Sequence, residues 1–404
     1  MYNPAVYSKL PKFQIAKRPN RRHRTNTNYI LSMKIALDIR GVYGKGGGKG
    51  VWTTNALKSI LNLDRQNDYY LYTNTEDETE FRFFPNVHVL RIQGKGFLWH
   101  WRLYKTLLKD KIDILISTES YIIPFIHDPQ KLKVALVVHD LVAFKSPAKH
   151  QRKATIIEHI TLKGAVKKSK WIFTVSEYTK KDLIHKYSKL GLENKTTVVY
   201  AGVRDIFARK MDSNKIVSVQ RRYNLDPDYM MMAGTLEPRK NILGALEAYS
   251  LLSPKNQQRF RFVVIGKKGW YYKQIFQRVK DMNLAMRVKF LEFIPDDDLV
   301  TLMQGAKIFL FPSFYEGFGL PILEAMQCGV PVLASRVTSI PELGVDAIHY
   351  ADPSDPVDIA DGITQLIENE EYRNELKGKG FEQVKNFSWG RTAKFMLDTI
   401  QNGQ

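Results

Sequence analysis

Short apolar runs alternate with longer helix-like segments along most of this chain, and this alternation limits the folds open to it. It predicts doubly wound α/β domains, in which helices connect parallel strands. The runs form two series, so we expect two sheets. The predicted strands are 35–39, 69–72, 87–91, 112–116, 134–138, 171–175 and 197–200 in the first series, and 229–232, 262–265, 288–290, 308–311 and 332–334 in the second.

The length of the chain also favours two domains. Its 404 residues, 44% of them hydrophobic, exceed what one core usually supports. The stretch 202–218 is polar and charged, which is typical of a domain junction. We predict a disordered basic arm at 1–32, with seven Lys or Arg and no acid, a first domain at 33–210, a second at 211–385 and a C-terminal helix at 386–404.

Composition limits the compartment and the partners. The single cysteine, Cys328, excludes an intrachain disulfide and suits a reducing cytoplasm. No apolar run is long enough to span a membrane, and no signal peptide is visible, so we expect a cytoplasmic protein, soluble or peripheral on the membrane. The formal charge of +20 is compatible with nucleic acid, anionic lipid or negatively charged substrates.

The segment from Glu316 to Glu324 is the most informative about function. It places two carboxylates eight residues apart, directly after a predicted buried strand. Gly317 and Gly319 indicate a loop that brings backbone close to a ligand, and Pro321 is predicted as the first residue of a helix. Glu316 is then expected at the mouth of a crevice, with Glu324 just below it in the opening turns of the helix.

This turn offers backbone amides to an anion. The amides near Phe318, Gly319 and Leu320 favour phosphate or developing negative charge. Glu324 can accept hydrogen bonds from a diol such as a ribose, each contributing roughly 1.5–3 kcal/mol for a charged acceptor. The alternative is a solvated helix start with glutamate in its favoured first turn.

A basic turn follows the first strand of the second series. Gly234 ends that strand, and Arg239 and Lys240 precede a predicted helix. An arginine fork and a lysine point charge at such a turn neutralise a diphosphate, so the segment from Gly234 to Lys240 is predicted to bind one. A plain charged helix start is the alternative.

Two further features lie after strands of the first series. His139 follows the strand at 134–138, where α/β crevices open, and can hydrogen-bond a sugar hydroxyl; a lone histidine is more often structural. The glycine-rich loop after the first strand includes Gly46, Gly47 and Gly48, which let backbone approach a phosphate. It matches neither the dinucleotide fingerprint nor the P-loop, and a flexible surface turn remains an alternative.

Together these motifs resemble the retaining glycosyltransferases of family four (glycosyl transferases group 1), whose signature is a glutamate, seven residues and a second glutamate. Glu316 and Glu324 stand at those positions, and the resemblance runs from about Met33 to the end. It implies the GT-B fold, in which two Rossmann-like doubly wound domains face each other across a cleft. The first would then be the acceptor-side domain and the second the nucleotide-sugar-binding domain, with the terminal helix crossing back to the first.

The resemblance also implies roles for individual residues. Glu316 would lie against the donor sugar, Glu324 would bind the ribose, and His139 would lie near the sugar and the acceptor. Lys240 aligns with the family lysine of the diphosphate site, and Arg239 takes the place of the arginine that the family often carries directly after its glycine.

Further family positions concern the nucleotide and the metal. The loop Gly46–Gly48 would face the donor phosphates, Ile294 would line the nucleobase site, and the amides of Phe318–Leu320 would hold sugar hydroxyls and phosphate. The family needs no bound metal, so we expect neither metal nor cofactor. Asp296–Asp298 are predicted to cap the next helix rather than to bind an ion.

The resulting hypothesis is a hexosyltransferase that moves a sugar from a nucleotide-sugar donor to a glycan or lipid-linked glycan, with retention, His139 and Glu316 being the catalytic residues. The expected setting is polysaccharide or lipopolysaccharide biosynthesis. One alternative is a nucleotide-sugar epimerase or hydrolase of the same fold. Another is a basic nucleic-acid-binding protein, but no nucleic-acid-binding signature supports it.

The segment 96–105 mixes aromatic and basic residues. It suits a membrane-interface or glycan-stacking surface, and buried helix packing is equally compatible with it. Our hypothesis is that the basic first domain docks on anionic lipid to reach a lipid-linked glycan.

Overall fold

The computed structural model describes residues 32–42, 47–76, 79–145 and 152–403, so Gly46 and residues 1–31 of the predicted arm lie outside the described residues. The chain divides into two compact units. One contains the chain up to Val137 together with Gly164–Trp171, and the other contains Val138–Lys163 and the chain from Ile172 onward. The predicted domain boundary at residue 210 stays a prediction.

All paired strands described below are parallel, as expected for a doubly wound protein. The strands are β1 (Lys34–Asp38), β2 (Asp68–Thr73), β3 (Val87–Arg91), β4 (Ile114–Ser117), β5 (Lys133–Val138), β6 (Trp171–Thr174), β7 (Thr196–Val198), β8 (Tyr229–Ala233), β9 (Arg261–Ile265), β10 (Val288–Leu291), β11 (Ile308–Phe311), β12 (Val332–Ser335) and β13 (His349–Ala351).

Helices connect most of these strands. They are α1 (Gly48–Leu63), α2 (Gly96–Lys109), α3 (Ile122–Ile126), α4 (Val142–Lys145), α5 (Arg152–Lys168), α6 (Glu177–Lys186), α7 (Ser213–Arg222), α8 (Ile242–Leu251), α9 (Pro254–Arg259), α10 (Tyr272–Asp281), α11 (Asp296–Gly305), α12 (Leu320–Gln327), α13 (Ile340–Gly344), α14 (Pro356–Glu368), α15 (Glu370–Val384) and α16 (Trp389–Asn402).

The strands form two sheets, which confirms that part of the prediction. The first has the order β3-β2-β1-β4-β5-β6-β7, and the second has the order β10-β9-β8-β11-β12-β13. In the second sheet the chain moves outward from β8 to β10 and then returns to place β11 beside β8. This reversal is a topological switch point, and the loops that follow two such neighbouring strands open a crevice.

Each predicted run overlaps one of the strands β1–β12, with ends shifted by a residue or two. Strand β13 was missed, because its short sequence His-Tyr-Ala is not an apolar run. Helix α12 begins at Leu320, so the prediction of Pro321 as its first residue is wrong by one position. Pro321 still lies in the first turn, where its missing N–H costs no helix hydrogen bond.

Burial explains the layers around the second sheet. Helices α8 and α14 contribute Ala245, Tyr249, Ile363 and other side chains to one core with the strands.

The helix predicted near the C-terminus is α16, in which the Thr392 hydroxyl lies at hydrogen-bond distance from the carbonyl oxygen of Tyr200. No helix among the described residues combines the length and apolarity needed to cross a membrane.

Candidate active site

The loops that follow β8 and β11 meet, as the strand order requires. The first contains a single 3-10 turn, Pro238–Lys240, and the second contains Phe314, whose amide donates to the carbonyl oxygen of Arg239 at 2.8 Å. Asn241 ends the turn with a φ of 56°, a conformation that asparagine tolerates, and caps α8 through its side chain. The basic turn is therefore fixed against the loop that carries Glu316.

Glu316 lies between the two basic side chains of that turn. Its Oε2 accepts from Arg239 Nη1 at 2.6 Å, and its Oε1 accepts from Lys240 Nζ at 2.7 Å. Arg239 also pairs through Nε with Glu237 Oε1 at 2.5 Å. Glu316 and Glu237 are both buried. Each of the four charged side chains in this cluster contacts at least one side chain of opposite charge, as buried charges require.

The electrostatics of the cluster fix the protonation state of Glu316. Burial alone raises the pKa of a carboxyl, but the positive charges of Arg239 and Lys240 outweigh it and lower the pKa of Glu316 to about 2. Burial raises the pKa of Glu237. Glu316 is therefore a carboxylate throughout the neutral pH range.

The turn between Glu316 and α12 needs both of its glycines. A Cβ on Gly317 would lie 2.0 Å from the carbonyl oxygen of His139, and Gly319 has a φ of 122°. The Ser339 hydroxyl donates to the carbonyl oxygens of Glu316 at 3.0 Å and Phe318 at 2.8 Å. These contacts turn the carbonyls of the loop toward the protein.

Within the described ranges, the backbone N–H groups of Phe318, Gly319 and Leu320 have no protein acceptor. They lie at the start of α12, where a helix leaves its first amides unpaired and favours negative charge. Unpaired amides therefore lie where the sequence predicts an anion-binding turn, and the binding of an anion stays a prediction.

His139 directly follows β5, as its position after a predicted strand indicates, and its side chain is buried. Its backbone packs against Gly317, and the amide of Leu141 donates to the Tyr315 hydroxyl at 3.2 Å. The structure thus brings the segment after β5 against the Glu316 loop, within one of the two units.

Glu324 lies on α12 and is buried. Its Oε1 accepts from Arg204 Nε at 2.9 Å, and Arg204 Nη1 donates to Asp296 Oδ2 at 2.8 Å. Burial raises the pKa of Glu324, and the charge of Arg204 offsets part of this effect. Sequence reasoning missed Arg204, because it lies in the polar stretch assigned to the domain junction and carries no motif of its own.

The three aspartates after Ile294 do not cap α11 through their side chains, so that prediction is wrong. The N-cap residue is Pro295, and Asp296–Asp298 occupy the first turn. There the three carboxylates pair with three arginines, and their negative charges interact favourably with the partial positive charge at the N-terminus of the helix. These pairs are Arg204–Asp296, Arg209–Asp297 and Arg222–Asp298.

The other predicted donor residues occupy strand or helix ends. Gly234 directly follows β8 with a φ of 146°, and a Cβ there would lie 3.5 Å from Lys240 Cε. Ile294 is buried just before α11. In the other unit, Gly47 is the N-cap residue of α1 and Gly48 its first residue, so the glycine-rich segment is partly helical.

No group of three or more metal-binding side chains occurs in the part of the chain that the structure describes. The expectation that the protein needs no metal stays a prediction, as do the roles assigned to the individual site residues.

Comparison with known proteins identifies the family. Residues 62–205 match the model described as glycosyltransferase family 4, and residues 214–383 match glycosyl transferases group 1. The O-antigen chain mannosyltransferase B of Escherichia coli is 34% identical over 72% of this chain and 75% of its own length. A serotype-specific mannosyltransferase WbdA of E. coli is 30% identical over 70% of this chain, which spans only 35% of that protein.

A solved structure shares the fold. Anabaena HepE, determined in complex with UDP and glucose, superposes with a TM-score of 0.73 at 20% identity, covering 92% of this chain and all of HepE. These comparisons confirm the family resemblance and the GT-B fold that the sequence predicted. The chain therefore belongs to the family-four glycosyltransferases (glycosyl transferases group 1) and is an enzyme that transfers sugars.

Proposed function

We propose that the protein transfers a hexose, with mannose as the first candidate, from a nucleotide-sugar donor to a hydroxyl of an O-antigen-type glycan, with retention at the anomeric carbon. The sugar and the acceptor class are suggested by the two E. coli relatives, both named mannosyltransferases and one an O-antigen chain enzyme. The observation that carries the proposal is the buried contact of Glu316 with Arg239 and Lys240.

This contact suits the charges that develop in the reaction. When the bond between the anomeric carbon and the diphosphate breaks, the sugar gains cationic character and the leaving phosphate gains negative charge. Arg239 and Lys240 supply positive charge to the phosphate, together with the amides of Phe318–Leu320. Glu316 supplies a fixed negative charge to the sugar.

The low pKa of Glu316 restricts its role further. A carboxyl with a pKa of about 2 holds no proton at neutral pH and cannot act as a general acid. Its role is then electrostatic and orienting: it stabilises the cationic sugar and accepts hydrogen bonds from sugar hydroxyls. Departure of the leaving group depends on the cations and the amides instead.

His139 is proposed to orient the donor sugar and the acceptor. Its position after β5, with its carbonyl packed on Gly317, keeps it beside the loop of Glu316. In this scheme the acceptor hydroxyl attacks from the side of the leaving group, and its proton passes to the departing phosphate. Configuration is then retained without a covalent intermediate.

Glu324 is proposed to hold the ribose of the donor, with Arg204 fixing one of its carboxylate oxygens. In a thermal-shift screen of UDP-, GDP-, ADP- and dTDP-linked sugars, we expect one nucleotide to stabilise the protein clearly. Glu324→Gln should weaken the binding of that nucleotide by roughly tenfold or more, because a neutral amide accepts weaker hydrogen bonds from the ribose hydroxyls.

The fitting donor is then assayed with and without a manno-oligosaccharide acceptor, and NMR of the product reports the anomeric configuration. Sugar release that does not depend on an acceptor would instead support the hydrolase alternative. If no nucleotide sugar shifts the melting temperature, or if Glu324→Gln binds the fitting one as well as the unmodified protein does, the assigned donor site is wrong.

We further propose that the first unit docks on anionic lipid through α2. At the start of this helix Phe97, Leu98 and Trp101 are exposed to solvent, with exposed fractions of 61%, 52% and 44%. Lys105 Nζ lies 5.1 Å from the centroid of the Trp101 ring. Exposed apolar side chains beside a cation are typical of a helix that lies in a membrane interface.

Co-sedimentation with vesicles checks this proposal. We expect more of the protein to sediment with anionic vesicles than with neutral ones, and the double variant Phe97→Ser/Trp101→Ser should lose most of this binding, because each ring contributes buried apolar area. Phe83→Ser, which removes an exposed aromatic residue outside α2, is the matched control. Equal sedimentation with both vesicle types would contradict the proposal.

A further inference from the structure

A cavity of about 690 Å³ lies between the start of α8, the residues around the start of α10 and the loop after β13. This volume falls within the roughly 300–1,000 Å³ of small-molecule sites. Glu237 and Phe314 line the cavity and also adjoin the cluster around Glu316, whereas Glu316 and Glu324 do not line it. The cavity is thus a neighbour of the proposed donor site and is not part of it.

The chemistry of the lining disfavours a phosphate-containing ligand. Among the described residues that line the cavity there is no Lys, Arg or His, although the whole chain carries a formal charge of +20. Its two carboxylates are each paired with an arginine outside the lining. Glu237 pairs with Arg239, and Glu247 pairs with Arg278 at 3.0 Å. With both acids compensated, the cavity suits a neutral ligand better than an anion or a cation.

The apolar part of the lining combines the aliphatic side chains of Ile242, Leu243 and Ile275 with two aromatic rings. Tyr271 and Phe314 are 51% and 43% exposed, and prolines close the wall near the loop after β13. Tyr271 is the N-cap residue of α10 with a φ of 63°, a conformation that a bulky residue rarely adopts. Strain of this kind persists where the surroundings hold it in place, often at ligand sites.

Polar groups suited to hydroxyls lie beside these rings. Within the described part of the chain, the side-chain amide of Gln274 has no protein partner, and Glu247 uses only Oε1 for its arginine. An amide and a carboxylate oxygen beside an aromatic face can bind the hydroxyls and the C–H face of a pyranose ring together. This combination favours a carbohydrate over a purely apolar ligand.

We propose that this cavity binds an uncharged hexose residue of the glycan acceptor, separate from the residue that receives the new sugar. The inference rests on the proposed function, which makes a glycan the acceptor. Tyr271 and Phe314 would contact the ring face, and Gln274 and Glu247 would bind hydroxyls. Glu237 lines the cavity and pairs with Arg239, so a glycan held there lies beside the cluster around Glu316.

The direct test is a titration of the full chain with α-linked manno-oligosaccharides in the absence of any donor, followed by NMR. We expect binding in the millimolar range, weakened about fivefold or more by Tyr271→Gly and by Gln274→Ala, through loss of a ring contact or a hydrogen bond. Tyr271→Gly also relieves the left-handed strain, so we expect this variant to stay folded, and its melting temperature is measured alongside the titration. Phe83→Ala is the control and should bind normally.

A second measurement separates this inference from the proposed function. Tyr271→Gly should raise the KM for an oligosaccharide acceptor and leave transfer to a monosaccharide glycoside unchanged. Failure of the unmodified protein to transfer sugar from any donor would refute the proposed function, while the donor-free titration would still decide about the cavity. The cavity proposal is overturned if the unmodified protein binds no oligosaccharide, if both variants bind it normally, or if a nucleotide displaces it.

Discussion

Glu316→Gln is expected to lower kcat by about 10²–10³-fold, the range seen when one preorganised electrostatic group is removed from a transition-state site. The glutamine keeps the shape of the side chain but removes the negative charge opposite the cationic sugar. Affinity for the nucleotide should change little, because the proposed phosphate contacts are made by Arg239, Lys240 and the backbone amides and not by Glu316. Steady-state kinetics with the fitting donor, combined with nucleotide titration, measures both quantities.

Glu292→Gln provides the matched control, because Glu292 is an exposed carboxylate of the same unit that pairs with Lys268. It should leave kcat unchanged.

The pH dependence of stability is a second measurement of the role of Glu316. Its lowered pKa stabilises the fold above the ordinary value of 4.5, and this contribution is lost as the pH falls toward about 2. The stability advantage of the unmodified protein over Glu316→Gln should therefore shrink across that pH window. An unchanged kcat in the variant would remove Glu316 from the mechanism.

Lys240→Met is expected to weaken binding of the nucleotide sugar by roughly 10- to 150-fold, which corresponds to the loss of about 1.5–3 kcal/mol from a hydrogen bond to a charged phosphate. Methionine preserves much of the apolar stem, so the effect isolates the ammonium group. The same change removes one of the two cations that lower the pKa of Glu316. The acid limb of the rate profile should consequently move to higher pH.

Isothermal titration with the nucleotide and a pH profile of kcat check these two effects. Lys268→Met is the control for loss of one positive charge, since Lys268 pairs with exposed Glu292 and does not contact Glu316. Binding as strong as that of the unmodified protein, with an unshifted acid limb, would contradict the assignment of Lys240 to the phosphates.

Much of the fold was predictable because its signals are local. The apolar runs identify β1–β12, and the alternation of strands with helices identifies two doubly wound sheets. The pattern of apolar runs did not predict β13, where three residues with mixed polarity form a strand only because β12 is beside them. A pairing of this kind depends on tertiary context, which no short window of sequence contains.

The residues of the candidate site also fall into those that local sequence marks and those that only tertiary contacts bring together. The sequence singles out Glu316, Glu324 and the basic turn because glycines and prolines mark their loops, and their roles stay predictions. Arg204 was not found, because its contacts with Glu324 and Asp296 span 120 and 92 positions of the chain. The contact of Arg239 and Lys240 with Glu316 also required the structure, since it depends on the placement of β8 beside β11.

The ion pairs around Glu316 have a consequence for the affinity of the proposed donor site. Arg239 and Lys240 carry long side chains that ordinarily lose conformational freedom when they grip a ligand, a cost of about 0.5–1.5 kcal/mol for each chain. Here the glutamates already immobilise both chains before the substrate arrives. At the proposed donor site, binding of a nucleotide sugar would then require an exchange of hydrogen-bond partners by rigid groups, and little of the binding free energy would be consumed in ordering them.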